Sequence, residues 1–193
     1  MEPKFIVIAG IAGDGRRTVL QYLPQKTGEN NIVRTREPGG TPFAEKLRTL
    51  LQQDSATSIP DVERLLIQAL RIDHETQVVR PALERGEHVI CDSLDYTSLV
   101  RHEIAVHEPS VLHTAFGRER LIGKPTLLII LTHKGVDERL SLVFRNVARA
   151  MNTGSLPGDT EIVYVDTADP IEASKKLRDV VAHHLEKELA VAG

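Results

Sequence analysis

The segments KFIVIAG (4–10), EHVICDS (87–93), TLLIILT (126–132) and EIVYVDT (161–167) are dense apolar runs closed by small or polar residues. Each has strand length, and a strand apolar at nearly every position needs cover on both faces. A weaker fifth run is NIVRTRE (31–37). Helical patterns lie between them. One follows a glycine-rich loop at 17–23. Another spans 42–53, with Ala44, Leu47, Leu50 and Leu51 at helical spacing. A longer one covers 62–85, carrying Leu65, Leu66, Ala69 and Ile72, then Val78, Val79 and Leu83. Segments 136–151 and 171–189 complete the set. Strands alternating with helices predict an α/β fold of three layers, a parallel sheet between helices. Ligands of such sheets bind beyond the carboxyl ends of the strands. Gly10, Arg36, Asp92, Thr132 and Asp166 all fall there.

Length sets the scale. A chain of 193 residues predicts a single domain, 1–193, with a core that needs no staples. The net charge of −3 offers no basic footprint for DNA or RNA. One cysteine, Cys91, cannot form an internal disulfide and fits a cytoplasmic, reducing compartment. At the end of an apolar run it reads as a core residue. The apolar run in MEPKFIVIAG is too short for a signal-peptide core or a membrane span. The eight histidines show no metal-ligand spacing.

The loop GIAGDGRRT (10–18) follows a strand and opens a helix, the setting in which a phosphate-binding loop G-x-x-x-x-G-K-[ST] has meaning. Gly10 and Gly15 are in register, and Gly13 adds freedom for backbone N–H groups to converge on phosphate oxygens. Arg16 stands at the lysine position, a planar fork in place of a compact ammonium. Arg17 stands at the hydroxyl position, where Ser or Thr ordinarily ligates Mg2+. Thr18 is one residue late, which turns it by about 100° on a helix. Asp14 adds an acid inside the loop. The plain alternative is a glycine-rich strand–helix turn with solvated arginines.

Four further stretches carry a resemblance. REPGGTPFAEKLRTLL (36–51), LLIQALRIDHETQVVRPALERGEHVICDS (65–93), TLLIILTHKGVDERL (126–140) and IVYVDTADPIEASKKLRDVV (162–181) resemble, in order and spacing, the thymidylate kinase family. The resemblance implies a P-loop nucleoside monophosphate kinase fold with a five-stranded parallel sheet. It implies the reaction ATP + dTMP → ADP + dTDP with ATP and Mg2+, and a homodimer. It also implies roles for particular residues. Arg36, Glu37 and Pro38 match the loop that contacts the monophosphate nucleotide, with Arg36 able to fork onto its phosphate. Arg71 matches an arginine that reaches that phosphate and the base edge. Thr97 and Ser98 keep hydroxyls where the family has them. Asp92 matches the acid of a D-R-[YH] motif and, with Thr18, is a candidate for meeting Mg2+.

Departures from the family pattern concentrate on the donor side. Besides Arg16 and Arg17, Ala12 replaces an acid of the phosphate loop. Ser93 replaces the arginine of D-R-[YH], which neutralises charge on the transferred group. Ile67 stands where an aromatic stacks on thymine, a change worth about 1 kcal/mol. Arg101 and His102 replace a Tyr-Gln pair. Only SLVFRNVARAMNTGSLPGDT (141–160) occupies the place of the family's arginine-bearing flap and following helix, so the lid is expected to be reduced. Arg145 and Arg149 there read as the exposed face of an amphipathic helix. Phosphoryl transfer is positioning plus charge neutralisation. The expectation is therefore a thymidylate-kinase-like protein that retains a nucleotide pocket for dTMP-like ligands and ATP, with phosphoryl transfer lost or very weak. One alternative is an active, divergent deoxynucleoside monophosphate kinase, for dTMP or a modified pyrimidine, in which Arg16 does the work of the lysine. Another is an interaction protein that binds no nucleotide.

Overall fold

A computed structural model describes residues 2–10, 21, 32–51, 60–93, 125–132 and 160–186 of the chain. Five strands lie in it: β1 (Phe5–Gly10), β2 (Ile32–Glu37), β3 (His88–Ser93), β4 (Leu127–Thr132) and β5 (Glu161–Asp166). They form one sheet in the order β2-β3-β1-β4-β5, and every pairing is parallel. The apolar runs locate each strand to within a residue. The weak fifth run is β2, at the edge of the sheet, where partial exposure allows Arg34 and Arg36.

The two faces of the sheet are covered separately. Helix α1 spans Pro42–Leu51 and α2 spans Pro60–His74. A π-helical turn (Glu75–Val79) then leads into α3 (Arg80–Glu84). Val79 and Ala82 from this run bury against Phe5, Val7, Ala9, Val89, Cys91, Leu128 and Ile130. On the other face, α4 (Pro170–Glu186) packs Ala173, Leu177, Val181 and Leu185 on Ile6, Ile8, Ile90, Ile129 and Leu131. β1 contributes to both clusters and is buried along its whole length, which explains its unbroken apolar sequence. Helices on both faces of a parallel sheet make the three-layer α/β/α arrangement expected. The single long helix expected at 62–85 is instead α2, a π turn and α3. The expected helix at 136–151 and the reduced lid at 141–159 lie outside the described residues, as does the one at 17–23 but for Gln21.

Strand order places the cleft. β1 connects toward β2 on one side, and β4 connects toward β5 on the other. The crevice between two strands whose connections diverge is where α/β sheets bind ligands. Here it opens between β1 and β4, at Gly10 and Leu131.

Candidate functional site

Register brings the expected site residues to one rim. Arg36 is level with Asp92 across β2 and β3, and Asp92 is level with Ile8 of β1, two residues short of Gly10. Asp92 on β3 thus stands between the ends of β2 and β1, strands that lie two strand spacings, about 10 Å, apart. Gly10 is pressed against β4: a Cβ there would come within 2.7 Å of the Leu131 carbonyl oxygen and 2.8 Å of its Cβ. The glycine at the head of the loop is therefore demanded by the sheet itself. Gly13, Gly15, Arg16, Arg17, Thr18, Thr97 and Ser98 lie outside the described residues.

The turn after β2 is built from Arg36, Glu37, Pro38, Gly39, Gly40 and Thr41, with a cis peptide between Glu37 and Pro38. Gly39 and Gly40 have φ of +143° and +84°, conformations that side chains disfavour. Arg36 is half exposed. Its Nε donates to Glu45 Oε1 at 3.2 Å and its NH2 group to Oε2 at 2.8 Å. The Gly40 N–H adds a bond to Oε1 at 3.1 Å. The Arg36 fork, and then this backbone bond, hold the Glu45 carboxyl below its ordinary range, with Arg48 assisting and slight burial opposing. The guanidinium carries five N–H donors, so the pair orients Arg36 and leaves other donors for an incoming anion. Thr41 caps α1 by accepting from the Ala44 N–H at 3.0 Å.

Helix α2 stands over this turn. His74 is fully buried. Its Nδ1 lies 2.9 Å from Glu37 Oε1 and its Nε2 lies 2.5 Å from Thr35 Oγ1. A carboxylate only accepts, so Nδ1 carries the proton that it donates to Glu37. Asp73, the preceding residue, accepts hydrogen bonds from Thr41 Oγ1 and from Gln77 Nε2. Ile67, Arg71 and His74 recur at helical spacing and share a stripe. His74 is docked at the level of Thr35 and Glu37, while Val79 and Ala82 pack farther down the sheet. The chain therefore descends along this face. Arg71 and Ile67 lie about 4.5 Å and about 10 Å from His74 along the helix axis, toward the start of α2. Both are half-buried.

Asp92 occupies the opposite face of the sheet from Glu37 and Cys91, as strand alternation requires. Arg34 shares that face. Burial pushes the Arg34 guanidinium below its ordinary value, and the Asp92 carboxylate pulls it back. Arg34 and Asp92 thus feel each other's charge on this face of the sheet. Cys91 is buried in the core, as expected. Glu37, His74 and Cys91 bring one potential metal-ligand atom each within 4.8 Å of the others. Both His74 nitrogens already have hydrogen-bond partners, which identifies the group as a hydrogen-bonded hub.

Sequence reasoning names Arg36, Glu37, Pro38, Ile67, Arg71 and Asp92; the first three lie at the end of β2 and the turn after it, Asp92 near the end of β3, and Ile67 and Arg71 on α2. It passed over Thr35, Glu45, Asp73, His74 and Arg34. The available signal for His74 was a polar residue continuing the stripe of Ile67 and Arg71 into the buried face.

A family model described as thymidylate kinase matches residues 8–177 of the chain. The thymidylate kinase of Wolbachia sp. subsp. Brugia malayi (strain TRS) is 47% identical over 92 residues, which take in 46% of this chain and 44% of that protein. The thymidylate kinase of Pseudomonas putida (strain GB-1) is 46% identical over 95 residues, 48% of this chain and 45% of that protein. These matches span less than half the length of either relative. The crystal structure of thymidylate kinase from Ehrlichia chaffeensis superposes with a TM-score of 0.71 at 22% identity, covering 94% of this chain and 100% of that one. At that identity the likeness is one of fold.

Proposed function

The chain belongs to the thymidylate kinase family, and on that premise we propose that it binds a dTMP-like nucleotide at the turn after β2, addresses ATP and Mg2+ with the loop after Gly10, and transfers the phosphoryl group very weakly or not at all. The observation that carries this reading is the stripe of α2. A cation, Arg71, and an apolar side chain, Ile67, share the helix stripe whose His74 is tied to the strand end that carries Arg36. Two arginines suit a phosphate, and an apolar surface suits a base. ATP supplies the transferable group when bound. Mg2+ takes one or two carboxylates and otherwise relies on phosphate and water oxygens. Asp92 is the carboxylate that would meet it on the Gly10 side, and Arg34 on the same face competes for that charge. With Arg16, Arg17 and Ser93 at positions that ordinarily neutralise or bind metal, little remains to stabilise the transition state.

The protein is proposed to act in the cytoplasm as a homodimer. No helix among the described residues is long and apolar enough to cross a membrane. Val62, Leu65 and Ile72 form an exposed apolar stripe along α2, and Phe43 and Leu50 another along α1. Such stripes suit a second copy of the chain.

The test is ADP formation from ATP and Mg2+ by the purified protein, across dTMP, dUMP, dCMP, dGMP and dAMP, with ligand-induced thermal shifts measured in parallel. Stabilisation by dTMP with turnover at the no-acceptor level supports the proposal. Turnover with dTMP well above that level would establish an active kinase with Arg16 in the lysine's role. Absence of any nucleotide-induced shift would make this an interaction protein.

A further inference from the structure

We propose that His74 is a positioning residue for the acceptor nucleotide: it locks the turn of residues 36–41 to the helix that carries Arg71, so that both arginines address one phosphate from a single rigid frame. The inference rests on the acceptor-site reading above and adds the device that would make it work.

The geometry is specific. His74 ties down the last turn of β2 through two partners on one strand face, Thr35 Oγ1 at 2.5 Å and Glu37 Oε1 at 2.9 Å. Its ring lies against Gly40 so closely that a Cβ there would come within 2.5 Å of Cδ2 and 2.8 Å of Nε2. Asp73 holds the far end of the same turn through Thr41, the residue that caps α1. Two consecutive residues of α2 therefore grip the turn at both ends. Arg36 leaves β2 between Thr35 and Glu37, the two residues His74 bonds, so its backbone is fixed by them. Arg71 lies one helical turn from His74. The separation between the two arginines is thus set through His74 and not through a flexible loop.

Each bond here is buried or partly buried, and the ring itself excludes water. Buried hydrogen bonds are costly to leave half-made, so the turn has one position and not several. A bidentate contact to phosphate depends steeply on that position. The described hydrogen bonds of His74 and Asp73 reach neither Ile67 nor Gly10.

That separation supplies the test. Isothermal titration calorimetry with the full chain measures dTMP, thymidine and ATP binding to wild type, His74→Gln and Thr35→Val. His74→Gln should weaken dTMP about tenfold, while thymidine and ATP stay within about twofold of wild type. Thr35→Val keeps its shape, leaves His74 and Glu37 in place, and should give a smaller loss of the same kind. If His74→Gln does not fold, Thr35→Val decides. A folded variant that binds dTMP as wild type does overturns the inference. Equal weakening of dTMP and thymidine also overturns it, because that marks general loosening and not a misplaced phosphate clamp. If wild type itself binds no dTMP, the acceptor-site reading fails and takes this inference with it. Wild-type binding with indifferent variants removes the inference alone.

Discussion

Gly40 and Gly86 both have positive φ, +84° and +78°, yet their surroundings differ completely. A Cβ on Gly40 would collide with His74 and with Thr35 Oγ1, whereas a Cβ on Gly86 meets nothing within 4 Å. Gly86→Ala should therefore cost only the left-handed strain, about 1 kcal/mol. Gly40→Ala should cost that and an overpacking penalty, about 2–4 kcal/mol together. Chemical denaturation of the two variants measures the difference, and equal losses would mean that the turn is not clamped. Glu45 makes a second prediction at this scale. Its folded carboxyl is held below the ordinary value by Arg36 and Gly40. A depressed carboxyl contributes stability that is present above its unfolded value and is lost as pH falls through the folded one. The melting temperature of wild type should exceed that of Glu45→Gln by a constant small margin above the ordinary value of 4.5, and the margin should shrink in acid. The pair is exposed and worth well under about 1 kcal/mol, so a large margin, or one that grows in acid, would contradict the assignment. Arg36 and the glycines beside it were legible in the sequence because their chemistry is local. His74 was not, because its role exists only once α2 lies across β2.

At the scale of elements, legibility followed burial. β1 and β4 are covered on both faces, so their sequences are continuous apolar runs and could be placed from composition alone. β2 is an edge strand with one neighbour, and its mixed sequence reflects that. The π turn at Glu75–Val79 left no trace in the apolar pattern, since one extra residue per turn changes which side chains face the sheet without changing their types. α4 shows the opposite case, an amphipathic helix with a readable start. Asp169 Oδ1 accepts from the Ile171 and Glu172 N–H groups at 2.8 and 3.2 Å. Asp169→Ala should cost about 1 kcal/mol, the usual worth of such a cap. Leu177, wholly buried beneath the same helix, should cost about 2–5 kcal/mol on truncation to Ala. Asp169 lies between β5 and α4 and Leu177 lies on α4, both away from the β2 turn. Thermal melts with and without dTMP should therefore show lower melting temperatures and an unchanged ligand-induced increment.

For the whole molecule, the unanswered question is what covers α1 and α2. Both helices bury one side toward the sheet or each other, through Ala44, Leu70 and His74. Yet Phe43 and Leu50, seven residues apart on α1, remain about half exposed, at 55% and 50%. On α2, Val62, Leu65 and Ile72 are exposed at 39%, 43% and 43%. Scattered exposed apolar residues need no explanation, but two stripes on adjacent helices do. A dimer that packs these helices against their counterparts would bury both at once, and a two-fold axis makes each stripe its own complement. It would also place the dimer contact on the outer side of the helix whose inner side carries His74. Leu65→Asp with Ile72→Asp puts charges into that contact while leaving every described hydrogen bond of His74 and Asp73 in place. Sedimentation velocity should show a dimer for wild type and a monomer for the double variant, with the same far-ultraviolet circular dichroism. A wild-type monomer would leave the stripes unexplained by self-association. A double variant that remains dimeric would move the interface elsewhere on the chain. A monomer that loses dTMP affinity would mean that α2 needs its partner to hold the acceptor frame rigid.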